Sequence, residues 1–343
     1  MKKIVQIENK KIGVENPTYI IAEIGSNHNG NKNIAKKMID EAALAGVDAV
    51  KFQTFKAEKL YSKKTPKFSK DKIEPFNLLK SIEMPCEWHK ELFEYSKKKS
   101  LHFLSSPFDF EAVDELDEIG APAFKIASFE IVDHELLKHT AKKAKPMIIS
   151  TGLANIGEIE EAINVIRAQG NDDIILLHCA SMYPSPVDIM NLRAINTLDC
   201  SFKIPIGLSD HSIGIHISIA AVAMGAKIIE KHFTLDRTMK GPDHNFAIQP
   251  EELKQLVSNI RDIEKAMGTG IKDKSDIELE MYEKARRSII AKIDIQKGTK
   301  ITKDKLIIKR PGYGIKPKFI DVIIGREAKI DIKADQWITW DMI

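Results

Sequence analysis

Eight times between Thr18 and Gly268, a short and nearly unbroken apolar run gives way to a stretch of helical period. The runs are YIIAEIGSN, AVKFQTF, HFLSSPF, AFKIAS, PMIIST, IILLHC, PIGLSD and IIEKHFT. Strands that stay apolar at successive positions are buried on both faces, as parallel strands covered by crossover helices are. The intervening stripes supply the helices. Ile34, Met38 and Ala42 form one, Ile156, Ile159, Ile163 and Ile166 a second, and Leu253, Leu256, Ile260 and Ile263 a third. Eight strand–helix units in about 250 residues is the count of a (β/α)8 barrel. An open doubly wound sheet is the alternative, but no glycine-rich phosphate loop follows the first run. The expected fold is therefore α/β, a (β/α)8 TIM barrel over residues 1–270.

The pattern changes after Gly268. Residues 271–285 are polar and read as a linker with one helical stretch, and 286–343 read as a small β-rich domain. Within it DIQKGTKIT, from Asp294, echoes DIKADQWIT, from Asp331, in its first two and last two residues. The echo points to a pseudo-symmetric unit, too small to bury much core alone, which should dock on its own barrel or a neighbour's. This end is also the basic one: residues 281–343 hold 15 Lys or Arg against 8 Asp or Glu, while the whole chain is only +3. Such a surface either is a solvated face or attracts an anionic substrate. The small net charge argues against a nucleic-acid partner.

No run approaches 18 apolar residues, so no membrane span is expected. The start, MKKIVQIENKKIG, lacks the apolar centre of a signal peptide. Cys86, Cys179 and Cys200 show no paired spacing, which fits a reducing cytoplasm.

In such a barrel the active site lies at the carboxyl ends of the strands, so polar residues there are the candidates. In chain order they are Glu23 and Asn27; Lys51, Gln53 and Thr54; Ser105 and Ser106; Lys125 and Ser128; Ser150 and Thr151; His178, Ser181 and Tyr183; Ser209, Asp210 and His211; Glu230 and His232. Two lysines on apolar strands at a barrel mouth suit an anion. His211 and His232, at equivalent ends of neighbouring strands, can share one divalent ion with positions open to water and substrate. Structural zinc would need four ligands, and the cysteines are not placed to help. The hydrated site suits Mn²⁺, Mg²⁺ or a similar ion. A metal to polarise a carbonyl, lysines and hydroxyls for a phosphate or carboxylate, and Glu23 opposite suit addition of an enol-type nucleophile to an aldehyde. A Schiff base at Lys51 or Lys125 stays open, as does a carbohydrate- or ice-binding module on an inactive barrel. Nucleophilic hydrolysis does not fit, since no G-x-S-x-G elbow is present.

EIGSNHNG, KFQTF, SSPF, KIAS, STG, HCASMYP, GLSDHS, IEKHF and GPDHNFAI, in this order, resemble the nonulosonate (sialic acid, N-acetylneuraminate) synthase family, and KRPGYGI at Lys309–Ile315 resembles its antifreeze-like (SAF) domain. The resemblance covers nearly the whole chain. It implies a transferase that condenses phosphoenolpyruvate with an open-chain N-acetylmannosamine-type sugar, cleaving the C–O bond to release phosphate and a nine-carbon keto acid. Legionaminic or pseudaminic acid synthesis from a 2,4-diacetamido-trideoxyhexose is the alternative. By motif, His211 and His232 would bind the metal, usually Mn²⁺, with Mg²⁺ or Co²⁺ as substitutes. Lys51, Ser106, Lys125, Ser128, Ser150 and Ser209 would surround phosphoenolpyruvate, and Glu23 would orient water or carry a proton. Gln53, Ser181, Tyr183 and Asp243 would face the sugar, and Arg310 would reach the N-acyl group over a partner's barrel in a domain-swapped homodimer. The wording is mixed: KIASFE and SSPF lean to the pseudaminic branch, GPDHNFAI to the sialic and legionaminic one.

Overall fold

A computed structural model describes residues 4–67 and 73–343; residues 1–3 of the basic N-terminal stretch lie outside it. The chain divides into two compact units, 1–268 and 269–343.

The first unit opens with a hairpin, β1 (Ile4–Ile7) and β2 (Lys10–Gly13). Eight strands follow: β3 (Tyr19–Gly25), β4 (Ala49–Thr54), β5 (His102–Pro107), β6 (Phe124–Ile126), β7 (Met147–Ser150), β8 (Ile174–Cys179), β9 (Ile206–Asp210) and β10 (Ile228–His232). They form one sheet in the order β5-β4-β3-β10-β9-β8-β7-β6, and every ladder within it is parallel. The end strands β5 and β6 lie against each other, closing the barrel. Helices alternate with the strands. They are α1 (Lys32–Ala45), α2 (Ala57–Leu60), α3 (Pro75–Ile82), α4 (His89–Lys98), α5 (Phe110–Glu118), α6 (His134–Ala141), α7 (Ile156–Arg167), α8 (Ala194–Phe202), α9 (His216–Ala223) and α10 (Pro250–Met267).

Side chains alternate along each strand, and two apolar clusters follow from that. Outward positions such as Ile20, Ala22, Val50, Phe52, Phe103, Leu176 and Leu208 pack on the helices. Inward positions Tyr19, Ile21, Ala49, Leu104, Ala123, Ile148, Ile175, Leu177 and Ile228 form a second cluster, joined by Val5, Ile7 and Ile12 of the hairpin. The hairpin thus plugs the amino-terminal end of the barrel, a role not expected from its sequence. The three helical stripes hold with one exception. Ile156 is 43% exposed because it is the first residue of α7, ahead of the turn that packs.

In the second unit a short helix α11 (Leu279–Ala285) precedes the hairpin β11 (Ser288–Ala291) with β12 (Leu306–Lys309). The sequence echo folds as a local two-fold. Ile295 and Ile332 exchange both backbone hydrogen bonds at 2.8 Å. Asp294 accepts the Ala334 N–H and Asp331 accepts that of Lys297, so each aspartate caps the fourth residue of the other segment.

Candidate active site

The inward strand positions continue past the apolar cluster into a polar layer. On β3 and β4 these are Glu23, Lys51 and Gln53. On β5 to β7 they are Ser106, Lys125 and Ser150. Cys179, Ser209 with His211, and Glu230 with His232 complete the ring from β8 to β10. All but Gln53 are buried. Position parity sorts the rest: Asp210 and His178 point outward, unlike the expectation drawn from their place at strand ends. Asp210 pairs with Lys231, and His178 bonds the Met190 carbonyl.

Two lysines converge on one carboxylate. Lys51 Nζ lies 2.8 Å from Glu23 Oε2 and donates to Ser106 Oγ at 3.2 Å. Lys125 Nζ donates to Ser150 Oγ at 2.7 Å and to the Ile126 carbonyl. Both reach Glu230 Oε1, at 3.8 and 3.7 Å, and Ser209 Oγ donates to the same oxygen at 3.0 Å. Glu230 Oε2 has no hydrogen-bond partner.

Burial and neighbours push these groups apart. Burial lifts the Glu23 carboxyl to about 7, with Lys51 pulling it down and Glu230 raising it further. Burial lowers Lys125, with Glu230 opposing. For Lys51 the burial penalty is outweighed by Glu23 and Glu230, so it stays firmly protonated. Glu230 resists its own burial because both lysines hold it ionised. The mouth therefore keeps one firm cation, one loosened amine and a carboxyl poised near neutrality.

The two histidine rings stand 5.3 Å apart between centroids, with Tyr183 tilted against His211 at 4.3 Å and Phe246 5.1 Å from His232. His211 Nδ1 is engaged by the Ala180 carbonyl at 3.0 Å, which leaves Nε2 toward the cavity, 3.5 Å from Ser209 Oγ. His232 Nδ1 is buried without a hydrogen-bond partner, and Asp243 Oδ2 lies 3.5 Å from it. Burial, with His211 next, keeps His232 neutral, and burial also raises Asp243 to about 6. For His211 the burial penalty is outweighed by Cys179 and the Ala180 carbonyl, so its imidazole is raised. Imidazole nitrogens facing the cavity beside carboxylates are a donor set that fits a divalent cation.

Gly25 and Gly152 show how tightly the lining is drawn. A Cβ on Gly25, whose φ is +52°, would sit 3.1 Å from Glu23 Oε1, 3.4 Å from Gln53 Nε2 and 3.8 Å from Asp243 Oδ2. Gln53 also donates to Glu23 Oε1 at 3.1 Å. At Gly152 a Cβ would lie 2.1 Å from Ser181 Oγ and 2.8 Å from Ser128 Oγ, and the Gly152 N–H donates to Ser128. The candidates at inward positions thus gather at this mouth, whereas Asp210, His178, Thr54 and Ser105 lie on the outward side of their strands; Arg310 is an exposed residue of the second unit. Two groups were missed as site residues. Cys179 follows from stepping back two residues from Ser181, as the candidate Glu230 does from His232. Glu130, on the turn after β6, is a half-buried carboxyl whose Oε2 is out of solvent without a partner and which burial lifts to about 7.

Comparison with known proteins fits this picture. An N,N'-diacetyllegionaminic acid synthase of Campylobacter jejuni is 47% identical over 94% of this chain and 98% of its own length. A pseudaminic acid synthase of the same species is 37% identical over 96% and 97%. The crystal structure of a sialic acid synthetase from Leptospira borgpetersenii, in complex with citrate, superposes with a TM-score of 0.75 at 40% identity, covering 82% of this chain and 97% of that one. Residues 38–272 match the NeuB family and residues 286–343 the SAF domain, so the chain belongs to the NeuB family and ends in a SAF domain.

Proposed function

We propose that the barrel condenses phosphoenolpyruvate with the open-chain aldehyde of a 2,4-diacetamido-2,4,6-trideoxyhexose of the manno series, giving a legionaminic-type nonulosonate and phosphate. The observation that carries the reaction class is the convergence of Lys51 and Lys125 beside the His211–His232 pair. The choice of sugar rests on the higher identity to the legionaminic than to the pseudaminic acid synthase, 47% against 37%. N-acetylmannosamine, the first expectation from the motifs, is the second choice.

In this reading Lys51, Lys125, Ser106, Ser128, Ser150 and Ser209 hold the phosphate and carboxylate of phosphoenolpyruvate, their donors fixed before it arrives. A divalent ion, Mn²⁺ in our proposal, held by His211 and His232 would polarise the aldehyde. C3 of phosphoenolpyruvate bonds to the aldehyde carbon, water adds at C2, and the C2–O bond to phosphate breaks. Glu23, lifted to about 7, can take the proton from that water or give one to the new alkoxide. Gln53, Ser181, Tyr183 and Asp243 face the sugar. Arg310 would meet its N-acyl group from a partner's SAF domain.

Phosphate release from phosphoenolpyruvate with Mn²⁺ and a sugar panel tests this. Release with the manno-series diacetamido sugar, abolished by chelator, is expected. Release only with N-acetylmannosamine or the altro sugar would overturn the substrate assignment, and silence with all three would overturn the reaction. The loosened Lys125 amine also favours a Schiff-base reading; a borohydride-trapped adduct at Lys125 would select it instead.

A further inference from the structure

Behind the wall formed by β4 and β5 lies a second cluster of metal-ligating side chains, apart from the barrel mouth. Cys86 opens the 3-10 turn (Cys86–Trp88) that runs into α4, and His89, three residues on, is the first residue of α4, so the two share one face of that turn. Glu115 reaches them from α5. One sulfur, nitrogen or oxygen atom from each lies within 4.8 Å of the other two. His89 is fully buried, while Cys86 and Glu115 are half-buried.

The imidazole is held from both sides. Its Nδ1 meets Glu115 Oε1 at 2.6 Å, and its Nε2 meets Thr54 Oγ1 at 3.0 Å, which in turn is 2.7 Å from Ser105 Oγ. This is the arrangement that orients metal-bound histidines: one nitrogen faces the ligand cluster, the other is fixed by a hydroxyl that can accept its proton. Lys56 neighbours the cluster: burial lowers its ammonium, but Cys86, Glu83 and Glu115 together raise it.

We propose that Cys86, His89 and Glu115 bind a thiophilic divalent ion such as Zn²⁺, with the fourth position open to water. Binding replaces the Cys86 thiol proton, which leaves to solvent, and displaces Lys56. The tie would join the start of α4 and α5 to Thr54. Gln53, the neighbour of Thr54, faces the barrel mouth, so the ion would stiffen that wall.

Titration of the metal-free full chain with Co²⁺, followed by the thiolate-to-cobalt charge-transfer band in the near ultraviolet, tests the site. A saturating band is expected, lost in Cys86→Ser and kept in the His211→Ala/His232→Ala double variant. Thr54→Val should weaken Co²⁺ about 10–100-fold, while Lys56→Met should tighten it, a direction no loss of folding can produce. Zn²⁺ should bleach the band by competition. A wild-type chain without the band, or a band that survives Cys86→Ser and vanishes in Cys179→Ser, would overturn the proposal.

Discussion

Two groups of buried charges sit back to back across β9 and β10. Outward, Asp210 and Lys231 form a closed set. Asp210 accepts the Ser212 N–H at 2.8 Å and its hydroxyl at 2.6 Å, Ser218 Oγ at 2.6 Å, and Lys231 at 2.9 Å, and Lys231 also donates to the Ser212 carbonyl. Inward, one residue away on each strand, Ser209, Glu230 and His232 leave Glu230 Oε2 and His232 Nδ1 without hydrogen bonds. Both sets are almost fully dry, so burial does not tell them apart. Satisfaction does: a charge whose lone pairs are all taken holds the fold, and one with spare capacity waits for a ligand.

The largest effect should come from breaking the closed set. Asp210→Ala leaves the Lys231 ammonium buried with a single carbonyl and should destabilise by about 5 kcal/mol; Lys231→Met leaves Asp210 its three other donors and should cost about 3 kcal/mol. Denaturant melts give both values. Equal losses would mean that the hydroxyls around Asp210 do not carry its charge. The open set should respond in the other currency. Lys125→Met should cut phosphate release about 10²–10³-fold while leaving the melt nearly unchanged, because it also removes a burial penalty. A melt that falls as far as that of Lys231→Met would erase the distinction between the two sets.

Much of this was legible before any coordinates. Apolar runs such as PMIIST and IILLHC have no polar face, which forces parallel strands under helices, and the strand ends then name the mouth. The alternation rule was available too, yet Asp210 and His178 were grouped with the site because a run of polar residues hides its own parity. Counting by twos from Leu177 puts Cys179 inside and His178 outside. The terminal hairpin was not legible, since Val5, Ile7 and Ile12 alternate weakly among lysines and gain their meaning only from the barrel floor they cover. Nor was Glu130, whose neutrality depends on how the turn after β6 folds back rather than on residues near it in sequence.

Glu130 extends the comparison to a third place. It is half-buried, its Oε2 is out of solvent and unpartnered, and burial lifts it to about 7, with Lys125 pulling it down only in part. By the satisfaction criterion it belongs with the open set. The sign of its pH effect follows. An unfolded Glu130 loses its proton near 4.5, whereas the folded one keeps it to about 7. Between these values the folded state binds more protons, so stability from this residue is full below pH 4.5 and is lost as pH rises through 7. The loss is roughly 3 kcal/mol at most. Glu130→Gln cannot ionise, so its stability should fall less over that window, and at pH values above it the variant should be the more stable protein. Denaturation midpoints measured across that range decide it. Parallel curves for the two proteins would mean that the Glu130 carboxylate finds partners in solution, and the residue would then join the closed set with Asp210.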